Sequence, residues 1–199
     1  MSELLEDIRK YWIKRAKGYS EYNQGELSGE QREKWRQAIL AELPDKPLTA
    51  IHLLDVGTGP GFFAIILAEA GIQVTAVDYT EEMLKEAKAN AGELSEKIHF
   101  QQMDAQNLEF PDETFDAVIT RNVTWNLEHP VRAYQEWYRV LKKDGVLLNF
   151  DANWYRYLCD EELRKGYEED RKKTKAQQVE DYYEGTDIAE MERIAAAVP

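Results

Sequence analysis

The residues best placed to do chemistry are two aspartates and the three closely spaced glycines that follow the first of them. Residues 51–56 are an apolar run carrying Asp55 next to its end, and Gly57, Gly59 and Gly61 follow at alternate positions. Such a run, with Ala64-Ile65-Ile66-Leu67-Ala68 behind it, dictates a buried strand, a tight loop and a helix. Gly57 and Gly59 permit backbone angles that a side chain forbids, and Gly61 lets a helix start or a ligand approach, so the loop can wrap a nucleotide-like molecule. Asp55 sets the sign of that ligand: a carboxylate at the carboxyl end of a strand repels phosphate and suits a cationic or hydroxyl-bearing group. A second short run, residues 73–78, ends in Asp78. Adjacent parallel strands bring their carboxyl ends together, where a carboxylate can accept hydrogen bonds from both hydroxyls of a ribose.

The loop differs from a dinucleotide fingerprint, which places glycine at the first, third and sixth positions; counted from Gly57, the sixth is Phe62. It also lacks the lysine of a P-loop. The segment Leu54-Asp55-Val56-Gly57-Thr58-Gly59-Pro60-Gly61 instead resembles the first motif of the class I methyltransferases that use S-adenosylmethionine, in which an acidic residue precedes a G-x-G-x-G loop. The resemblance implies a Rossmann-like α/β fold with a mainly parallel, doubly wound sheet and an N-terminal helical lid. It implies methyl transfer to a small molecule by in-line displacement, with S-adenosylhomocysteine as product. It further implies that Asp104 accepts from the adenine amino group while the amide beside it, at Ala105, donates to a ring nitrogen, and that Tyr79 and Met83 flank the adenine. Tyr19 belongs to an aromatic-rich segment similar to the lid of small-molecule methyltransferases, and such a cover excludes water from the reacting sulfonium. With Asp55, Gly57, Thr58, Gly59, Gly61 and Asp78 from the two strand ends, and Arg121 and Asn122 at the start of a long loop on the same side, these form the expected cofactor site. The likeness is nearest to the group that includes the enzymes of quinone biosynthesis, and it covers about residues 48–151.

The elements that must position these groups follow from hydrophobic periodicity. Leu4, Leu5, Ile8, Trp12 and Ile13 predict an amphipathic helix ended by Gly18, residues 19–29 a loop, and residues 30–43 a second helix closed by Pro44 and Pro47. Beyond the first strand and its helix, Thr80 caps a helix that runs through Met83 and Ala87. Residues 97–102 predict a third strand, and Phe110 to Thr120 a turn into a fourth, with Asp116 a structural turn residue. Residues 131–141 predict a helix packing through Tyr134, Trp137, Tyr138 and Leu141; residues 142–145 end it, and a fifth strand follows at 146–151. Strand and helix alternate throughout, which requires a parallel sheet with right-handed crossovers. Residues 160–178 predict a charged helix and 188–198 another. The family sheet normally has two further strands, and no period-two segment remains to supply them, so they are expected to be missing or replaced by helices. The expected units are 1–47, N-terminal helices and lid; 48–151, the cofactor-binding core; and 152–199, a helical extension.

Composition narrows the partners. A net charge of −13 opposes binding to nucleic acid or anionic lipid, and leaves a small molecule as the expected partner. Residues 1–7 lack a basic segment followed by an apolar one, no stretch is long and apolar enough for a membrane, and Cys159 is the single cysteine. A reducing cytoplasm fits, with neither a disulfide nor a metal site. No catalytic motif stands out; His129, Asp151, Tyr19 and Tyr155 are the candidates for a base or substrate contact. Two other readings compete: a methyltransferase-like module that binds without turning over, and a nicotinamide-dependent oxidoreductase.

Overall fold

The computed structural model of the chain describes residues 2–177 and 187–198. Five strands, β1 (His52–Val56), β2 (Gln73–Asp78), β3 (Ile98–Gln102), β4 (Phe115–Arg121) and β5 (Leu141–Phe150), form one sheet in the order β3-β2-β1-β4-β5. Every pairing is parallel. The order reverses between β1 and β4, so the crossovers from these neighbours leave in opposite directions and open a crevice at their carboxyl ends.

The helices are α1 (Glu3–Ser28), α2 (Gln31–Leu40), α3 (Phe62–Glu69), α4 (Glu81–Ala91), α5 (Pro130–Val140), α6 (Glu161–Gln177) and α7 (Ile188–Ala197). Seven successive residues of α3, Phe62 to Ala68, are buried, because α3 lies between the sheet and α2. Trp35 of α2 meets Phe63 and Phe150 edge-on, with ring centroids 5.3 and 5.0 Å away. A second core on the other face of the sheet joins Leu54, Val118 and Phe115 to Trp137 of α5. Asp116 is structural, as expected from its position before the apolar strand: it is buried, accepts from the His52 amide at 2.8 Å, and pairs with Lys46 and Lys142 at 2.6 and 3.1 Å.

Several boundaries differ from expectation. The helix expected to stop at Gly18 continues to Ser28, and residues 19–29 are not a loop. A Cβ on Gly25 would meet nothing within 4 Å, and one on Gly18 only the tip of Arg15, so neither glycine marks a turn. A mid-helix glycine costs about 1 kcal/mol. Tertiary contacts offset it here: Ser20 and Gln24 bond Asn90 of α4, and Glu26 pairs with Arg121. In α5 the packing side is Ala133, Trp137 and Val140, whereas Tyr138 is 79% exposed and Tyr134 partly so. Residues 142–145 belong to β5 as a bulge opposite β4, with Asp144 at φ +64°, so the strand begins five residues before the expected position 146. The end of the charged helix expected at 178 lies outside the described residues. Among the described residues the sheet holds no strand beyond β5.

Candidate functional site

The crevice at the carboxyl ends of β1, β2 and β4 is a cavity whose floor is the glycine loop and whose roof is α1. Asp55 and Asp78 both border it from beneath. Oδ2 of Asp55 accepts from the Thr58 hydroxyl at 2.6 Å and the Ala64 amide at 3.1 Å, which fixes the loop and the first turn of α3 to the strand. Asp78 accepts from the Gly59 amide on one oxygen, and from the Thr80 amide and hydroxyl on the other, each at 2.9 Å. Thr80 therefore turns its hydroxyl back to Asp78 rather than capping α4. Burial pushes the Asp55 carboxyl up to about 7, against the lowering pull of Thr58 and Ala64. Burial also raises Asp78, against the amides of Thr80 and Gly59. Two carboxylates whose ionised forms are penalised by desolvation are suited to a ligand that brings positive charge or hydroxyl donors.

The backbone of the loop is shaped for close approach. Gly57 sits at φ +66°, and a Cβ there would lie 2.5 Å from Cγ2 of Val123. Gly61, at φ +92°, serves a different purpose: it opens α3, and a Cβ there would press within 3.1 Å of the Ala87 Cβ. Gly61 therefore starts the helix, one of its two expected roles, and permits α3 to pack on α4, but it does not line the cavity with the other glycines. The apolar wall is supplied by Met83, which is 2% exposed, with Tyr79, Met103 and Leu127. Asp104 and Ala105 complete that end: Asp104 accepts from the Gln106 amide at 2.9 Å, and the Ala105 carbonyl accepts from the Trp137 indole at 2.9 Å. A flat base fits between such a wall and such a turn, so the donor set and the glycine floor suit an adenosine bearing a cationic side arm.

From the far side, Arg121 borders the cavity while its guanidinium is held by both carboxylate oxygens of Glu26, at 2.7 and 3.0 Å, and lies 5.1 Å over the Trp35 ring. Asn122 adopts φ +58° at the end of β4 and lines the cavity with Thr58 and Gly59. Tyr19 lies above Gly59, near enough that a Cβ there would be 3.5 Å from its ring. Burial raises its phenol, against the charge of Arg121 and a hydrogen bond with Asn122.

Twelve of the thirteen expected residues thus border one cavity, Gly61 being the exception. Three of the four candidate bases stand apart from it. Asp151 accepts from the amide of Thr124 at 2.8 Å and from its hydroxyl, His129 precedes α5 with its amide donating to Gln106, and Tyr155 packs on Trp125 at 4.6 Å. The roof residues Leu5 and Ile8 were expected only as apolar helix positions and Asn23 only within a loop, none of them in the site. The stripe Leu5, Ile8, Trp12, Tyr19, Asn23 has helical spacing throughout, and that is the signal, legible only if the helix passes Gly18.

Residues 54–149 match the methyltransferase domain family. The chain is 29% identical over 163 residues to a demethylmenaquinone methyltransferase of Leptospira interrogans, covering 77% of this chain and 65% of that protein. It is 40% identical over 121 residues to a demethylmenaquinone methyltransferase of Deinococcus radiodurans, covering 58% and 49%. The chain thus spans less than two thirds of the length of these relatives. Among solved structures, the [4+2]-cyclase SpnF superposes with a TM-score of 0.53 at 31% identity, covering 57% of this chain and 42% of that one. The domain match, the relatives and the parallel sheet with its glycine-floored crevice agree in likening residues 54–149 to a methyltransferase domain of the class I, S-adenosylmethionine-dependent kind.

Proposed function

We propose that the chain transfers a methyl group from S-adenosylmethionine to a small-molecule acceptor. The observation that carries the reading is the meeting of Asp55, the Gly57–Gly59 floor, Asp78 and the Asp104–Ala105 turn around one cavity at the reversal of strand order. When bound, the cofactor supplies an electrophilic methyl group on a sulfur that is already a good leaving group. The chain's own part is alignment and desolvation. In this reading Asp78 holds ribose hydroxyls, Asp104 and the Ala105 amide read the adenine edge, and Met83 and Tyr79 flank the ring. Asp55 and Thr58 shape the loop beneath the cationic arm. The roof of α1, through Trp12 and Tyr19, keeps water out. Residues 1–47 then act as the cover, 48–151 as the cofactor core and 152–199 as a helical extension. Among the described residues no helix is long and apolar enough to cross a membrane. With the acidic balance, that supports work on a small molecule in the cytoplasm, away from nucleic acid.

Thermal denaturation tests the binding half. At a hundredfold excess over the dissociation constant, S-adenosylmethionine or S-adenosylhomocysteine should raise the melting midpoint by about 5–10 °C. NAD(H) should leave it unmoved; the reverse pattern transfers the assignment to an oxidoreductase. Methyl-labelled cofactor with an acceptor panel tests the other half. The likeness to a cyclase supports one second reading, a methyltransferase-like domain that holds the cofactor without transferring its methyl. Firm binding with no labelled product across a wide panel would favour it.

A further inference from the structure

Behind Tyr19 lies a second cavity, of about 280 Å³, which the cofactor reading leaves unused. Trp12, Tyr19 and Asn122 line both, so the two spaces meet at these three side chains. Seven of its ten described lining residues are aromatic. Trp125 stands 4.6 Å from Tyr155 and 6.0 Å from Trp12 between centroids, and Trp154 stands at the edge, 48% exposed. Walls of flat rings favour a flat guest, because stacked and edge-on contacts gain most from a planar partner. Rings alone do not fix how such a guest is turned; a directional polar group has to do that.

The group placed to do so is the carboxamide of Asn122. Its backbone is anchored at the end of β4, where the amide donates to the Phe150 carbonyl at 2.9 Å and φ is +58°, a conformation that asparagine tolerates. Its side chain is oriented by Trp154, whose indole N–H lies 3.2 Å from Oδ1. An indole nitrogen only donates, so the atom facing it has to be the carboxamide oxygen, and the NH2 end is turned away from Trp154 toward Tyr19. Tyr19 engages at most one of the two N–H groups, and they make no other hydrogen bond among the described residues. Tyr11, Arg15, Tyr22 and Tyr155 of the lining already have partners of their own. Asn122 thus presents a half-buried N–H donor where the two cavities join. Such a donor recognises a lone pair, and a carbonyl or hydroxyl oxygen supplies one.

We propose that this second cavity is the methyl-acceptor site, and that it takes a flat ring compound bearing a carbonyl or hydroxyl oxygen, which accepts from the Asn122 carboxamide at the boundary with the cofactor. The proposal rests on the methyl-transfer reading above. Trp154 has a double part in it: its ring forms the mouth of the cavity, and its indole N–H holds the carboxamide in the donating orientation.

Titration calorimetry on the full chain saturated with S-adenosylhomocysteine separates the two requirements. The probes are acetophenone, ethylbenzene and cyclohexyl methyl ketone, which match in size and supply a ring with a carbonyl, a ring without one, and a carbonyl without a flat ring. Acetophenone should bind about fivefold more tightly than either of the others. Asn122→Asp keeps an oxygen for Trp154 and tolerates the positive φ, but has no N–H to donate; it should bring acetophenone down to ethylbenzene or below. Trp125→Leu should weaken both ring probes and leave cyclohexyl methyl ketone little changed. Nuclear magnetic resonance reads the placement: with S-adenosylmethionine carrying 13C in its methyl group, bound acetophenone should show nuclear Overhauser contacts with that methyl. Equal affinity for the three probes, no binding of acetophenone, a preference for it that survives Asn122→Asp, or binding without contact to the methyl overturns the proposal. If Asn122→Asp does not fold, the order of the probes and the methyl contact on the unaltered chain decide. Failure to bind S-adenosylhomocysteine at all overturns the methyl-transfer reading, and this inference with it, and is thereby distinguished from a wrong choice of acceptor.

Discussion

Asp55→Asn should make the ligand-free chain more stable at neutral pH, although it replaces a residue at the centre of the site. Asp55 is 2% exposed, and its carboxyl rises from 3.8 to about 7 because burial penalises the charge. A shift of about three units corresponds to about 4 kcal/mol of strain on the ionised form. Both bonds that hold the carboxylate, from Thr58 and Ala64, fall on Oδ2, so a single amide oxygen can accept both and the loop need not change. The sign follows from proton counting. Below about pH 4 the folded and unfolded chains are both protonated at this position. Between about 4 and 7 only the unfolded chain releases its proton, so stability falls as pH rises, and above 7 the loss is complete. The difference in stability between variant and wild type should therefore open through pH 4–7 and level off above it. For a chain of this size it reaches about 10 °C in melting midpoint. Denaturation monitored by circular dichroism at half-unit pH steps measures it, and groups common to both proteins cancel in the difference. The same substitution should weaken S-adenosylmethionine, a combination that a purely structural carboxylate does not produce. A variant less stable than wild type at pH 8, or a difference that does not change with pH, would refute the reasoning.

Gly57→Ala places a Cβ 2.5 Å from Val123 at a positive φ. It should cost about 2–3 kcal/mol and abolish the midpoint shift with S-adenosylhomocysteine, and Val123→Ala added to it should recover part of the stability in urea titrations. Asp116→Asn should lose about 2 kcal/mol at pH 7 by weakening the bonds from Lys46 and Lys142. Burial opposes the ionised Asp116, but Lys46, the His52 amide and Lys142 outweigh it and hold the carboxyl below its ordinary value. Its contribution is present above about pH 4 and is lost as pH falls through the depressed value, so the two proteins should converge in acid. Arg121→Met strands the Glu26 carboxylate, whose side chain is 9% exposed, and should cost about 3 kcal/mol. Hydrogen exchange should rise over residues 19–28 of α1 while the β1 and β2 amides stay protected; equal loosening of sheet and helix would count against α1 as a separately tethered roof.

The strand-loop-helix order and the two aspartates at strand ends were legible because they follow from local rules. Apolar runs of five or six residues punctuated by glycine read as strands, and a carboxylate at the end of such a run can only lie at the sheet's carboxyl edge. β2 begins and ends at the expected residues, β1 and β3 agree to within one, and α4 starts directly after Thr80 as expected and runs on past Ala87 to Ala91. The misreadings cluster where distant partners override local preference. Glycines at 18 and 25 read as breaks, yet the helix passes through them because Asn90 and Arg121 hold its second half. Gly61 looked like part of the floor, and the approach of Ala87 from α4 shows what it makes room for.

The amino-acid order by itself determined a parallel α/β core with a glycine loop unsuited to a diphosphate, because turn chemistry and hydrophobic period depend on neighbours within a few positions. Only the tertiary structure decided that α1 roofs the cavity, and that Asp151, His129 and Tyr155 stand outside it. It alone set Trp12, Arg15, Trp125 and Trp154 around one second space. The first two lie more than a hundred positions from the last two, and nothing in the spacing of a chain encodes which helix folds back over which sheet edge; burial of the apolar stripe of α1 and the pairing of Glu26 with Arg121 do.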